Sequence, residues 1–117
     1  MGQERIIGNN GEGAIVYMDR FRYLRQHVVP LLKPYARRIA VFGSFARGDD
    51  TESSDVDILV ELKPLEQRPP LGLRWFALEE ELSQRIGRRV ELVSMKALSP
   101  HIRPYVKEDE VVIYEEG

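Results

Sequence analysis

The chain has 117 residues, 43% of them apolar and 31% charged, a formal net charge of −2 and no cysteine. One soluble globular domain is the expectation at this length and composition, which excludes collagen-like, coiled-coil and wholly disordered chains. Disulfide frameworks, thiolate metal sites, a membrane-spanning helix, a secretory leader and a strongly basic nucleic-acid binder are excluded as well, leaving a cytoplasmic protein as the expectation.

Residues 1–17 read as a flexible N-terminal extension, punctuated by Gly2, Gly8, Gly11 and Gly13. Its short apolar pieces, Ile6-Ile7 and Ala14 to Tyr17, are at most a marginal hairpin. The domain proper is expected over 18–117. Met18, Phe21, Leu24, Val28, Leu31 and Leu32 recur at helical spacing, with Pro30 and Pro34 as kink or stop signals. Ile39 to Phe42 is a short apolar strand that runs into Gly43, and 44–54 is a polar loop with room for one helical turn. Asp55 to Leu62 is a strand with Val56, Ile58, Val60 and Leu62 on one face and Asp55, Asp57, Leu59 and Glu61 on the other.

Pro69-Pro70 ends a loop, after which Leu71, Trp75, Leu78, Leu82 and Ile86 form one helical face bounded by Gly87, with Trp75 as a core anchor. Val90 to Val93 is a third strand. Ser99-Pro100 is expected to open a short helix with Pro at its first position, and Val111 to Tyr114 is a final strand. The order α-β-β-α-β-α-β predicts an α/β or α+β fold, a mixed sheet with helices packed on it. His27 and His101 read as structural residues, since neither has a companion at metal-ligand spacing. Arg85, Arg88 and Arg89 read as a helix C-terminal cap region.

Chemistry concentrates between Gly43 and Asp57. Asp55 and Asp57, two apart in a strand, project from one face, and two parallel carboxylates repel unless a cation sits between them. With oxygen donors and no His or Cys, the natural occupant is a hard divalent ion such as Mg²⁺, which shares its coordination with substrate phosphate. Gly43 permits a close backbone approach, Ser44 can cap the next turn, and the N–H groups there form an anion cradle. Arg47 is placed to meet a phosphate or a partner carboxylate. A phosphate site beside a metal site points to phosphoryl or nucleotidyl transfer.

Gly43-Ser44, ten intervening residues, then Asp55-Val56-Asp57 resembles the signature of the nucleotidyltransferases related to DNA polymerase β. The string from Gly43 to Leu62, and the segment from Gly87 to Val106, look like the minimal nucleotidyltransferases encoded beside HEPN-domain partners. That resemblance implies the nucleotidyltransferase fold and three carboxylates holding two Mg²⁺ ions. Asp55 and Asp57 are the first two; the third falls on Glu91, where the family usually has Asp. Glu91 is one methylene longer and could bind metal or act as general base, and its parity, opposite to Val90 and Leu92, points it away from the core. The nucleoside triphosphate would rest its β- and γ-phosphates on Gly43, Ser44 and Arg47 while an acceptor hydroxyl attacks the α-phosphorus and pyrophosphate leaves.

Best-understood members of the resembled family are antitoxins that transfer AMP from ATP to a tyrosine hydroxyl of a HEPN ribonuclease toxin, which neutralises it. The expectation is therefore a protein adenylyltransferase acting in a hetero-oligomer with its toxin. No segment reads as a second domain for a drug, a tRNA or a primer, and the mild acidity disfavours a nucleic-acid acceptor. Two alternatives stand beside it: an antitoxin that masks its toxin by binding alone, and a transferase for a small-molecule or nucleic-acid acceptor.

Overall fold

The computed structural model describes the chain from Glu12 to Gly117, with side chains described from Arg20 onward. Four strands, β1 (Ala36–Phe42), β2 (Val56–Leu62), β3 (Val90–Ser94) and β4 (Val111–Glu115), form one sheet in the order β3-β2-β1-β4. β1 pairs antiparallel with both β2 and β4, while β2 and β3 run parallel, connected by α3. The helices are α1 (Glu12–Leu32), α2 (Gly43–Arg47), α3 (Arg74–Ile86) and α4 (Arg103–Asp109). The mixed α+β sheet expected from the element order is the one observed.

Alternation along the strands divides the interior into two unequal layers. On one face Ile39, Val41, Val56, Ile58, Val60, Val90, Leu92 and Ile113 pack against Phe21, Leu24, Val28 and Leu32 of α1 and Leu78 and Leu82 of α3. Trp75 joins this core half-buried. The opposite face is thin. Among the described residues only Ala40, Leu59 and Val106 of α4 are buried in its cluster, helped by Phe42, Val93, Met95, Leu98 and Val112. Asp57 and Glu91 lie on this thinner face, beside Phe42 and one same-face position before Leu59 and Val93.

Several boundaries differ from the sequence reading for local reasons. α1 begins at Glu12, so Ala14 to Tyr17 is helical rather than part of a hairpin; Ile6-Ile7 lies outside the described residues. Pro30 falls inside the final turn of α1, and the helix ends two residues later. β1 starts at Ala36, earlier than Ile39, because Lys63 N–H bonds to the Tyr35 carbonyl and extends the β1–β2 ladder. Ser99-Pro100 does not open α4. Residues 99–102 form turns, the helix starts at Arg103, and Pro104 takes the early position where a missing N–H costs nothing.

β3 is an edge strand, and α3 closes its free side. Ser83 Oγ accepts from Val90 N–H at 2.9 Å, and Glu79 Oε2 accepts from Leu92 N–H at 2.9 Å. Two donors that would otherwise face outward are satisfied. The residue between them, Glu91, is thereby held at a fixed height on the sheet.

Candidate active site

β1 delivers the chain to Gly43, whose φ of 77° opens a five-residue helix, α2. This left-handed conformation is open to glycine and costly for other residues. Space demands glycine as well: a Cβ here would lie 2.5 Å from Asp57 Oδ2. The Gly43 backbone therefore approaches the carboxylate more closely than any other residue type would allow. Ser44 is the second residue of α2, and the cap of that helix is Phe42 without a side-chain bond, so the expected capping role of Ser44 is not realised. Its carbonyl instead accepts from Gly48 and Asp49 N–H as the helix closes at Gly48.

Asp57 sits in register between Phe42 of β1 and Glu91 of β3. Burial pushes its carboxyl up to about 6; the charges of Glu91 and Asp55 and a hydrogen bond with Glu91 add to the rise, and Arg47 opposes it. Val90 and Leu92 are buried on the far face while Glu91 is exposed, so the parity expected for Glu91 holds. Asp55 lies one residue before β2 and pairs loosely with Arg89, at 3.9 Å. Arg47 is occupied: it donates to Asp109 of α4 at 2.8 Å and to Asp49 at 3.2 Å, and those two bonds hold its pKa above the ordinary value.

Among the described residues no three His, Cys, Asp or Glu side chains are gathered as ligands around one point. The donor set nonetheless suits a hard cation. It is oxygen-only, its central carboxyl is destabilised as an anion by its own neighbours, and the glycine opposite leaves that carboxyl open.

Sequence reasoning missed the apparatus that holds this loop. Asp50 is nearly buried and sits between two guanidinium groups, Arg20 of α1 at 2.7 Å and Arg88 at 2.8 Å. Burial alone would raise its pKa, but the hydrogen bonds from both arginines prevail and hold it below the ordinary carboxylate value. Arg88 also donates to the carbonyls of Thr51 and Ser54. It is no part of a helix cap, in contrast to the sequence reading; of the three arginines only Arg85 stays on α3, bonded to Glu81. Asp50 stood in a polar run with nothing in spacing to single it out, since its partners lie 30 and 38 residues away.

A glycine-opened turn at the end of one strand, facing carboxylates on two neighbouring strands, is the arrangement of a nucleotidyltransferase. Residues 27–117 match the family described as "Polymerase beta, Nucleotidyltransferase", and the chain belongs to that family. It is 40% identical over 92 residues to a Methanocaldococcus jannaschii protein named as a candidate protein adenylyltransferase, covering 77% of this chain and 90% of that one. It is 43% identical over 77 residues to the protein adenylyltransferase MntA of Thermococcus cleftensis, covering 66% and 74%. Among solved structures it resembles a candidate minimal nucleotidyltransferase at 33% identity, with a TM-score of 0.64 over 80% of this chain and 93% of the other. A chain from the complex of a tri-AMPylated Shewanella oneidensis HEPN toxin with its MNT antitoxin shares the fold at 18% identity, with a TM-score of 0.61 over 81% and 72%. Among the described residues no helix is long and apolar enough to cross a membrane.

Proposed function

We propose that this nucleotidyltransferase is a protein adenylyltransferase and the antitoxin of a HEPN toxin, moving AMP from ATP to a tyrosine hydroxyl of that partner. The single observation that carries the reading is the close approach of the Gly43 turn to Asp57, whose β3 neighbour is Glu91, in a chain similar to proteins named for this activity.

In this reading the Gly43–Ser44 backbone binds the triphosphate, and Arg47 is released from Asp49 or Asp109 to reach it. Asp55, Asp57 and Glu91 are the residues that would hold Mg²⁺. The cation supplies charge neutralisation on phosphate oxygens when bound. Glu91, exposed on β3 beside Asp57, is the carboxylate that would take the proton the acceptor hydroxyl loses. The hydroxyl oxygen forms the new bond to the α-phosphorus, the bond to the bridging oxygen breaks, and pyrophosphate leaves. A partner protein is the expected acceptor and a hetero-oligomer the expected assembly, in the cytoplasm.

Incubation with α-labelled ATP, Mg²⁺ and the cognate HEPN protein tests this. Labelled partner with wild type, and none with Asp55→Ala or Asp57→Ala, is the expected outcome. Neutralisation of the toxin that persists without ATP, and with Asp57→Ala, would instead make the protein a masking antitoxin.

A further inference from the structure

The loop from Asp49 to Ser54 links α2 to Asp55, so its shape bears on how α2 and Asp55 sit beside the ladder pair of Phe42 and Asp57. Its residues contribute no fully buried side chain to either core. What fixes it is ionic. Arg20 reaches Asp50 from α1, and Arg88 reaches it from the turn between α3 and β3, each taking one carboxylate oxygen. Arg88 then spans to the Thr51 and Ser54 carbonyls at the two ends of a short turn, itself closed by Ser54 N–H on the Thr51 carbonyl at 3.0 Å.

Phe45, on α2 next to Ser44, occupies the space beneath. The Arg20 guanidinium lies 3.8 Å from its ring centroid and that of Arg88 5.3 Å away, while Phe21 meets the same ring edge-on at 6.0 Å. One carboxylate and one aromatic ring thus join α1, α2, the loop and the lead into β3. Both cations depend on Asp50: without its charge two guanidinium groups crowded over one ring repel each other.

We infer that Arg20, Asp50 and Arg88 form a clamp that positions the Gly43–Ser44 turn against Asp55 and Asp57 for nucleotidyl transfer, with Asp50 as its keystone. This rests on the proposed function of the site. The three residues are positioning residues, bonded to one another and to the loop. Their effect is on the alignment of reacting groups, which rate constants feel steeply.

The test pairs transfer kinetics with amide hydrogen exchange on wild type, Asp50→Asn, Arg88→Lys and Arg20→Lys, all with the HEPN partner present. Asp50→Asn is expected to lower kcat at least tenfold while KM for ATP stays within threefold. Exchange over 44–57 is expected to speed up while Val28 to Leu32 and Leu78 to Leu82 stay protected. Arg88→Lys retains the charge but has a shorter reach and loses the guanidinium that lies over the Phe45 ring, so it is expected to fall between wild type and Asp50→Asn. An unchanged kcat in Asp50→Asn, or a loss of kcat matched by a uniform rise in exchange across the chain, overturns the clamp. Wild-type protein that transfers nothing overturns the reading of the site instead, and exchange over 44–57 then still decides whether the clamp holds the loop.

Discussion

Replacing Asp57 with Asn is expected to make the protein more stable and inactive at once. In the fold the Asp57 carboxyl is pushed up to about 6 from its ordinary 3.8, first by burial and then by Glu91 and Asp55. The folded protein therefore holds that proton more tightly than the unfolded chain does. Between about pH 4 and about pH 6 the folded state binds more protons, so stability falls as pH rises through this window, and the loss is complete above it. The full shift would correspond to about 3 kcal/mol. Asp57 is only half-buried, and solvent screening reduces this to on the order of 1–2 kcal/mol. Asp57→Asn removes the charge and keeps the shape, so near pH 7.5 and in chelator its melting temperature should rise by about 4–8 °C. The gain should vanish on acidification to about pH 4. Adding Mg²⁺ should then raise the melting temperature of wild type and leave Asp57→Asn unmoved, because a ligand stabilises only the form that binds it. Thermal scans across that pH range, with chelator and with Mg²⁺, read out both effects. A variant no more stable than wild type near pH 7.5, or a difference that ignores pH, would refute the reasoning.

Gly43→Ala places a Cβ 2.5 Å from Asp57 Oδ2 at a φ of 77°; the carboxylate must retreat by about 1 Å, which should cost roughly 10²-fold in transfer rate, with about 1–2 kcal/mol of stability lost to the backbone. Steady-state kinetics beside a denaturant melt separate the two, and a rate within a few-fold of wild type would mean that the close approach serves only packing. Glu91→Asp should retain transfer, whereas Glu91→Ala should lose roughly 10²-fold or more; equal rates for the two would remove Glu91 from the site.

Local chemistry made most of the fold legible. Strands with apolar residues at alternate positions, such as Val56, Ile58 and Val60, announce a buried face, and Leu78 and Leu82 announce the helix that covers it. Gly43 and the two carboxylates were readable for the same reason: each is required by the geometry of a few neighbouring residues. Ser99-Pro100 reads locally as a good helix start, yet α4 begins at Arg103 and packs Val106 with Leu59 and Ala40, a contact made between residues far apart in the chain. The clamp was invisible because nothing near Asp50 in the chain needs it. Its two arginines arrive from α1 and from the turn after α3, and become neighbours only when the sheet has formed. Arg47 meets carboxylates, as its position allows, but Asp109 is 62 residues away and is brought to it only by α4.

The proposed acceptor is a protein hydroxyl. Intact-mass and peptide mass spectrometry of the HEPN partner, after incubation with this protein, ATP and Mg²⁺, tests it most directly. Transfer of AMP adds about 329 Da per group; such increments are expected on tyrosine with wild type and absent with Asp57→Ala. A partner whose mass is unchanged while its toxicity is nevertheless suppressed would contradict it.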